Sequence, residues 1–186
     1  MIKFILHGGS SNQPSPDTDA FYREMTAGSK GKFTTLLNYF SRKDEEVERL
    51  TEKDKARFLA NSDNKELVFE VADRERFAQQ MQRADCLFMK GGETAKLVDA
   101  MSRYENLTEL FKDKVIAGSS SGAYVLSKYY WENDIDTLGD GLGFFNIKMF
   151  CHYAADQLEK VEKLRNYKEN LPLLCLPDHK WVIMYQ

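Results

Sequence analysis

Apolar runs of strand length alternate with stretches of helical period along this chain, and that alternation limits the fold more than any other feature. The candidate strands are Ile2–Leu6, Phe33–Phe40, Leu67–Val71, Cys86–Met89, Val115–Ala117, Phe144–Cys151, Leu173–Leu176 and Trp181–Tyr185. Between them Phe21, Tyr22 and Met25 share one helical face, as do Leu97, Val98, Met101 and Tyr104, and later Leu158, Val161 and Leu164. Strand and helix in turn predict an α/β fold: a mostly parallel sheet flanked by helices on both faces. The highly charged run from Ser41 to Asn64 has few apolar positions and reads as solvated surface helix. Within it Thr51 and Asp54 resemble a capping pair that splits it in two. With 186 residues and no repeat, low-complexity tract or proline-rich linker, a single domain over 1–186 is expected.

Composition acts mainly by exclusion. Hydrophobic residues make up 42% and charged residues 30%, ordinary for a globular protein. A net charge of −3 with both signs interspersed leaves no footprint for nucleic acid or an anionic membrane. The longest apolar runs fall far short of a bilayer span. The N-terminus goes straight into "IKFIL", without the tripartite form of a signal peptide. Cys86, Cys151 and Cys175 are widely spaced, each in an apolar stretch, and read as reduced core thiols. These features predict a cytoplasmic protein. The histidines show no paired ligand spacing, so neither metal nor other cofactor is expected. Monomer and homodimer are equally compatible with the chain.

In a parallel sheet function gathers at the carboxyl ends of the strands. Glycine-rich turns fall at three of those ends: "HGGSS" after the first strand, "KGGET" after the fourth and "GSSSG" after the fifth. The last holds a G-x-S-x-G frame, Gly118 to Gly122, with only Ser120 at its centre. A nucleophile elbow needs a very tight strand-to-helix turn, which small residues two before and two after make sterically possible. The turn would set the N–H of Ser121, first in the next helix, towards a developing oxyanion.

A serine hydroxyl needs a base at neutral pH. His7 lies in the loop beyond the first strand, and His179 sits in "PDHK", which reads as a surface turn. His152 ends the long apolar strand "GLGFFNIKMFC" at the carboxyl edge that Ser120 shares, and is the candidate base. An acid should orient it. Glu132, Asp134, Asp136 and Asp140 crowd the segment between the elbow and that strand, most of them as a solvated acidic loop.

The motifs "MKGGET", "GSSSGA", "GLGFFNIKMFCHY" and "LPLLCLPDHKWVI", in this order, resemble the dipeptidase E and cyanophycinase family of serine peptidases. The resemblance runs from about Leu67 to the end of the chain and takes in the first strand with its Gly-Gly turn. It implies a class I glutamine amidotransferase-like, flavodoxin-like sandwich and cleavage of an amide bond in a small peptide. Carried over residue by residue, it implies Ser120 as nucleophile, His152 as base and the amides of Gly92 and Ser121 as oxyanion donors. Asp134 in "WENDID" aligns best with the family's aspartate, with Glu132 and Asp136 close enough to leave the assignment open. Gly91, Glu93 and Gln157 are the candidates for lining the substrate site.

The chain departs from the family pattern at several points. Ser121 stands where alanine is usual, and "GGE" replaces "GGN". Gln157 stands where the dipeptidases carry an arginine linked to acidic substrates, and the chain ends directly off a strand where the peptidases continue. Two other readings fit parts of the sequence. An α/β-hydrolase esterase shares G-x-S-x-G, but places its histidine much farther from the serine. A catalytically silent binding or scaffold protein that keeps the fold is the stronger rival, and fluorophosphonate labelling separates it from an enzyme.

Overall fold

The strands build two sheets, not one, in the computed structural model, which describes residues 1–186. In chain order the first elements are β1 (Lys3–His7), α1 (Pro16–Met25), β2 (Phe33–Asn38), α2 (Asp44–Asn61), β3 (Leu67–Val71), α3 (Phe77–Arg83) and β4 (Cys86–Met89). There follow α4 (Thr94–Ser102), α5 (Leu107–Phe111), β5 (Val115–Ser119), α6 (Ser121–Tyr124), β6 (Ser127–Glu132) and β7 (Thr137–Asp140). The chain closes with β8 (Phe145–Cys151), α7 (Leu158–Arg165), β9 (Leu173–Leu176) and β10 (Trp181–Tyr185). The larger sheet runs β10-β1-β5-β4-β2-β3, parallel except for β10, which lies antiparallel on β1. The smaller runs β7-β6-β8-β9, with β6, β8 and β9 parallel and β7 folded back as a hairpin on β6.

Alternation along β1 sorts its side chains between two cores. Phe4 and Leu6 enter a cluster of 24 buried residues that also takes Tyr124 from α6, Met149 and Cys151 from β8, and Leu176 from β9. That shared core packs the two sheets together. Ile5 faces the other way, into a cluster covered by α1 and α2 through Phe21, Tyr22, Leu50 and Phe58.

One strand lies outside the sequence expectations, and one expectation is corrected. The run "SKYYWE" is an inner strand, β6, with Tyr129, Tyr130 and Trp131 all buried. A strand buried on both faces has no period-two alternation to betray it. The charged run after Ser41 is one continuous helix, α2, and Thr51 and Asp54 do not split it. Both point inward with Leu50 and Phe58. The Asp54 carboxylate accepts hydrogen bonds from Tyr22 (2.8 Å), Tyr39 (3.0 Å) and the Lys90 ammonium (2.7 Å). That makes it a buried hub on the helix's inner face.

Candidate active site

The end of β5 is bent into a conformation few residues tolerate. Ser120 has φ 53° and ψ −111°, a strained region for a side-chain-bearing residue that costs ~1–3 kcal/mol. Its N–H donates to the His7 carbonyl at 2.9 Å, and its own carbonyl accepts the N–H groups of Ala123 and Tyr124. A Cβ on Gly118 would lie 2.1 Å from the Gly122 oxygen, so only glycine lets strand and helix approach so closely. Ser120 is half-buried at the apex, while Ser119 and Ser121 are buried to either side.

His152 reaches this apex from the second sheet. His152 follows β8 with φ 54°, and its N–H donates to the Gly8 carbonyl at 2.7 Å. Nε2 lies 2.9 Å from Ser120 Oγ, and Nδ1 lies 2.7 Å from Asp178 Oδ1. A carboxylate only accepts, so the proton sits on Nδ1 and the bare Nε2 faces the serine hydroxyl.

The acid on the histidine is therefore Asp178, not Asp134. Asp134 lies exposed on the rim of the cleft, with no bond to the imidazole. Asp136 pairs with Lys160 at 2.5 Å, and Glu132 is hydrogen-bonded to the Thr94 hydroxyl. The register explains the difference. Cys151 pairs with Leu176 across parallel strands, so the residues that follow the two strands lie side by side. That neighbour lies outside the segment between Ser120 and His152. The motif "PDHK" held the signal, since it leaves a strand at the same carboxyl edge.

The other two histidines have structural roles. His7 is fully buried, packs against Phe21 with the rings tilted and their centroids 4.4 Å apart, and accepts the Gly9 N–H at Nδ1. Burial first, with nearby His179 and Lys90 adding to it, pushes its pKa down to about 3 and keeps it neutral. His179 Nδ1 meets the Thr18 hydroxyl at 2.9 Å, docking the turn after β9 onto α1.

The Gly91–Gly92 turn lies against the elbow. A Cβ on Gly91 would come within 3.1 Å of Ser120 Cβ, and one on Gly92 within 2.4 Å of the Ser41 carbonyl. The Gly92 N–H is not free in this geometry, because it donates to Ser121 Oγ at 3.1 Å. The same hydroxyl donates to the Gly92 carbonyl at 2.5 Å and meets Thr94 Oγ1 at 3.0 Å.

A cleft of about 370 Å³ opens over Ser120 and His152, with no hydrophobic side chain among its 17 lining residues. Gly91 and Glu93 line it, Glu93 with its carboxylate tied to Lys96 at 2.7 Å. Gln157 does not. Its side chain accepts the Ala154 N–H at 2.8 Å and caps the turn into α7. Lys163 and Arg165 pair with Glu159 and Glu162 on their own helix. The cations of the cleft are instead Arg42 and Lys43, after β2, and the buried Lys90. No group of three or more His, Cys, Asp or Glu is arranged to hold a metal ion. No helix is long and apolar enough to cross a membrane.

Comparison with solved structures shows the fold shared. A candidate peptidase E from Listeria monocytogenes EGD-e superposes with TM-score 0.68 at 17% identity, over 99% of this chain and 94% of that one. A peptidase from an acI-B1 Actinobacterium gives TM-score 0.67 at 17% identity, covering 99% of this chain and 84% of that one. No curated protein matches the chain. The model of peptidase family S51 matches residues 4–186, across both sheets and every turn of the cleft. Elbow, histidine and Gly-Gly turn thus lie within one family's pattern, and the chain belongs to peptidase family S51.

Proposed function

We propose that the protein is a serine hydrolase that cleaves an amide bond in a small peptide, with Ser120, His152 and Asp178 as its triad. The observation that carries this is the line from Asp178 through His152 to Ser120, at 2.7 and 2.9 Å, ending on a strained elbow. In the first step Ser120 Oγ attacks the scissile carbonyl carbon as His152 Nε2 takes the hydroxyl proton. Asp178 holds the imidazole tautomer and stabilises the imidazolium that forms. The oxyanion of the tetrahedral intermediate falls to the Ser121 amide together with the Gly91–Gly92 turn. Collapse breaks the C–N bond, and the imidazolium returns its proton to the leaving amine. Water, activated by the same histidine, then hydrolyses the acyl-enzyme. The polar, open cleft suits a short peptide better than a long apolar one.

A fluorophosphonate probe tests this without knowledge of the substrate. One adduct on Ser120 is expected, absent in Ser120→Ala, whose turnover should fall by ~10⁴–10⁶. An unlabelled wild-type protein, or an adduct on Ser119 or Ser121, would refute the triad.

A further inference from the structure

Four hydrogen bonds link a half-buried carboxyl group to the turn beside the nucleophile. Glu132 meets the Thr94 hydroxyl, and Thr94 Oγ1 meets Ser121 Oγ at 3.0 Å. Ser121 Oγ in turn contacts the Gly92 carbonyl at 2.5 Å and the Gly92 N–H at 3.1 Å. Counting protons shows what this chain needs. With Glu132 ionised, only the Thr94 hydroxyl, the Ser121 hydroxyl and the Gly92 N–H supply protons. Three donors cannot fill four contacts. With Glu132 protonated the count closes: Glu132 donates to Thr94, Thr94 to Ser121, Ser121 to the Gly92 carbonyl, and the Gly92 N–H to Ser121.

The two states treat the Gly92 N–H differently. When Thr94 gives its proton to an ionised Glu132, Ser121 Oγ loses a donor and keeps its hold on the Gly92 N–H. When Thr94 donates to Ser121, that hold is dispensable, and a charged oxyanion is the stronger acceptor. We propose that Glu132 works as a neutral acid and positioning residue, whose proton, passed as a run of hydrogen bonds through Thr94 and Ser121, fixes the Gly92 carbonyl and releases the Gly92 N–H to the oxyanion. This rests on the serine-hydrolase reading above.

The surroundings favour the neutral form. Burial pushes the Glu132 carboxyl up from its ordinary value, with the Thr94 hydrogen bond opposing; the Asp134 charge adds to the rise and the Asp134 backbone N–H opposes it. His152, after β8, pulls the other way when charged. Tyr124 on α6, Tyr130 on β6 and Cys151 on β8 also face the carboxyl, and none is a cation at neutral pH. No lysine or arginine pairs with Glu132, whereas Glu93 across the cleft is tied to Lys96. A neutral acid also spares the forming oxyanion a nearby negative charge.

The test compares fluorophosphonate labelling rates against pH for the wild type, Glu132→Gln, Glu132→Ala and Thr94→Val, all checked for folding by circular dichroism. The wild type should lose rate on the alkaline side as Glu132 ionises. In Glu132→Gln the amide N–H donates to Thr94 at every pH, so the alkaline loss should vanish and most of the rate be retained. Glu132→Ala and Thr94→Val should each fall by ~10–100-fold, less than the ~10²–10³ lost with a whole oxyanion donor. Glu132→Gln as impaired as Glu132→Ala at every pH, or Thr94→Val unimpaired, would overturn the proposal. A second measurement stands apart from activity: the Gly92 amide proton shift should follow the NMR titration of the Glu132 carboxyl. If the wild type takes no label, the hydrolase reading fails while this titration still decides the chain of bonds. A Gly92 amide that ignores Glu132 ionisation would overturn it.

Discussion

Asparagine at position 178 separates the acid seen against the histidine from the one the sequence favours. Asp178 accepts the His152 Nδ1–H at 2.7 Å, which leaves Nε2 bare for the Ser120 proton. An asparagine that turns its N–H to Nδ1 forces the proton onto Nε2. The serine then faces a donor, and the base is lost. In a buried triad this substitution costs about 10⁴ in kcat. Here the Asp178 side chain is 47% exposed, so the amide is free to turn its oxygen inward and solvent screens part of the charge effect. The expected loss in kcat/KM for Asp178→Asn is therefore smaller, ~10²–10³, or about 3–4 kcal/mol of transition-state stabilisation. Asp134→Asn, at the rim and unbonded to the imidazole, should lose less than about tenfold. The assay is hydrolysis of a dipeptide panel run beside fluorophosphonate labelling, with thermal melts to show that both variants fold. Asp178→Asn within about threefold of wild type, together with a large loss in Asp134→Asn, would refute the geometric assignment.

Three further outcomes are expected. Lys90→Met should strip Asp54 of its cation, with both groups nearly inaccessible to solvent, and cost ~3 kcal/mol in urea unfolding; a loss under about 1 kcal/mol would mean that the two tyrosines alone satisfy the carboxylate. His7 is held neutral well below its unfolded pKa, so the unfolded chain takes the proton first. Its contribution to stability is lost as pH falls from ~6.5 towards about 3, by up to ~1.4 kcal/mol per pH unit, and an imidazole NMR signal from His7 titrating near 6.5 would contradict this. Gly9→Ala would put a Cβ 2.0 Å from the His152 ring at φ +131°, so labelling should drop by ~10² or more while the fold survives; an unimpaired variant would show that the imidazole has another seat.

What the sequence disclosed follows from where local signals are strong. The tight turn at Ser120 was legible because such a turn makes steric demands on its near neighbours, and Gly118 and Gly122 answer them in the chain itself. His152 was legible because it ends a long apolar strand. Five parallel strands of the main sheet were legible as apolar runs, three of them ended by glycine-rich turns. Strand β6 was not, because its consecutive aromatics are buried on both faces and carry no period. The contact of Asp178 with His152 was not legible for a topological reason, since it depends on β8 and β9 pairing in parallel, Cys151 against Leu176. Gln157 was misplaced because alignment with an arginine says nothing of where a shorter side chain finds its own partner, here the Ala154 N–H. Asp54 read as a cap from its spacing to Thr51, while the tertiary fold brings Lys90 and two tyrosines to it.

The proposed nucleophile and base come from different sheets, so something must fix one against the other, and the end of β1 does so. The His7 carbonyl takes the Ser120 N–H, and one residue on the Gly8 carbonyl takes the His152 N–H. The Gly8 N–H and the Gly9 carbonyl bond the backbone of Lys180 and His179, which flanks Asp178. Each member of the proposed triad is thus tied, directly or through a neighbour, to three consecutive residues of one strand end. A Cβ at Gly8 would lie 2.1 Å from the Pro177 carbonyl, and one at Gly9 would enter the imidazole. The turn "HGG" therefore serves as a backbone socket rather than an oxyanion loop, and its two glycines are needed for contact with the second sheet. The neutral, buried His7 completes that socket by accepting the Gly9 N–H. Misplacing this turn would disturb serine, histidine and acid together, which is how a site split between two sheets keeps distances of 2.9 and 2.7 Å.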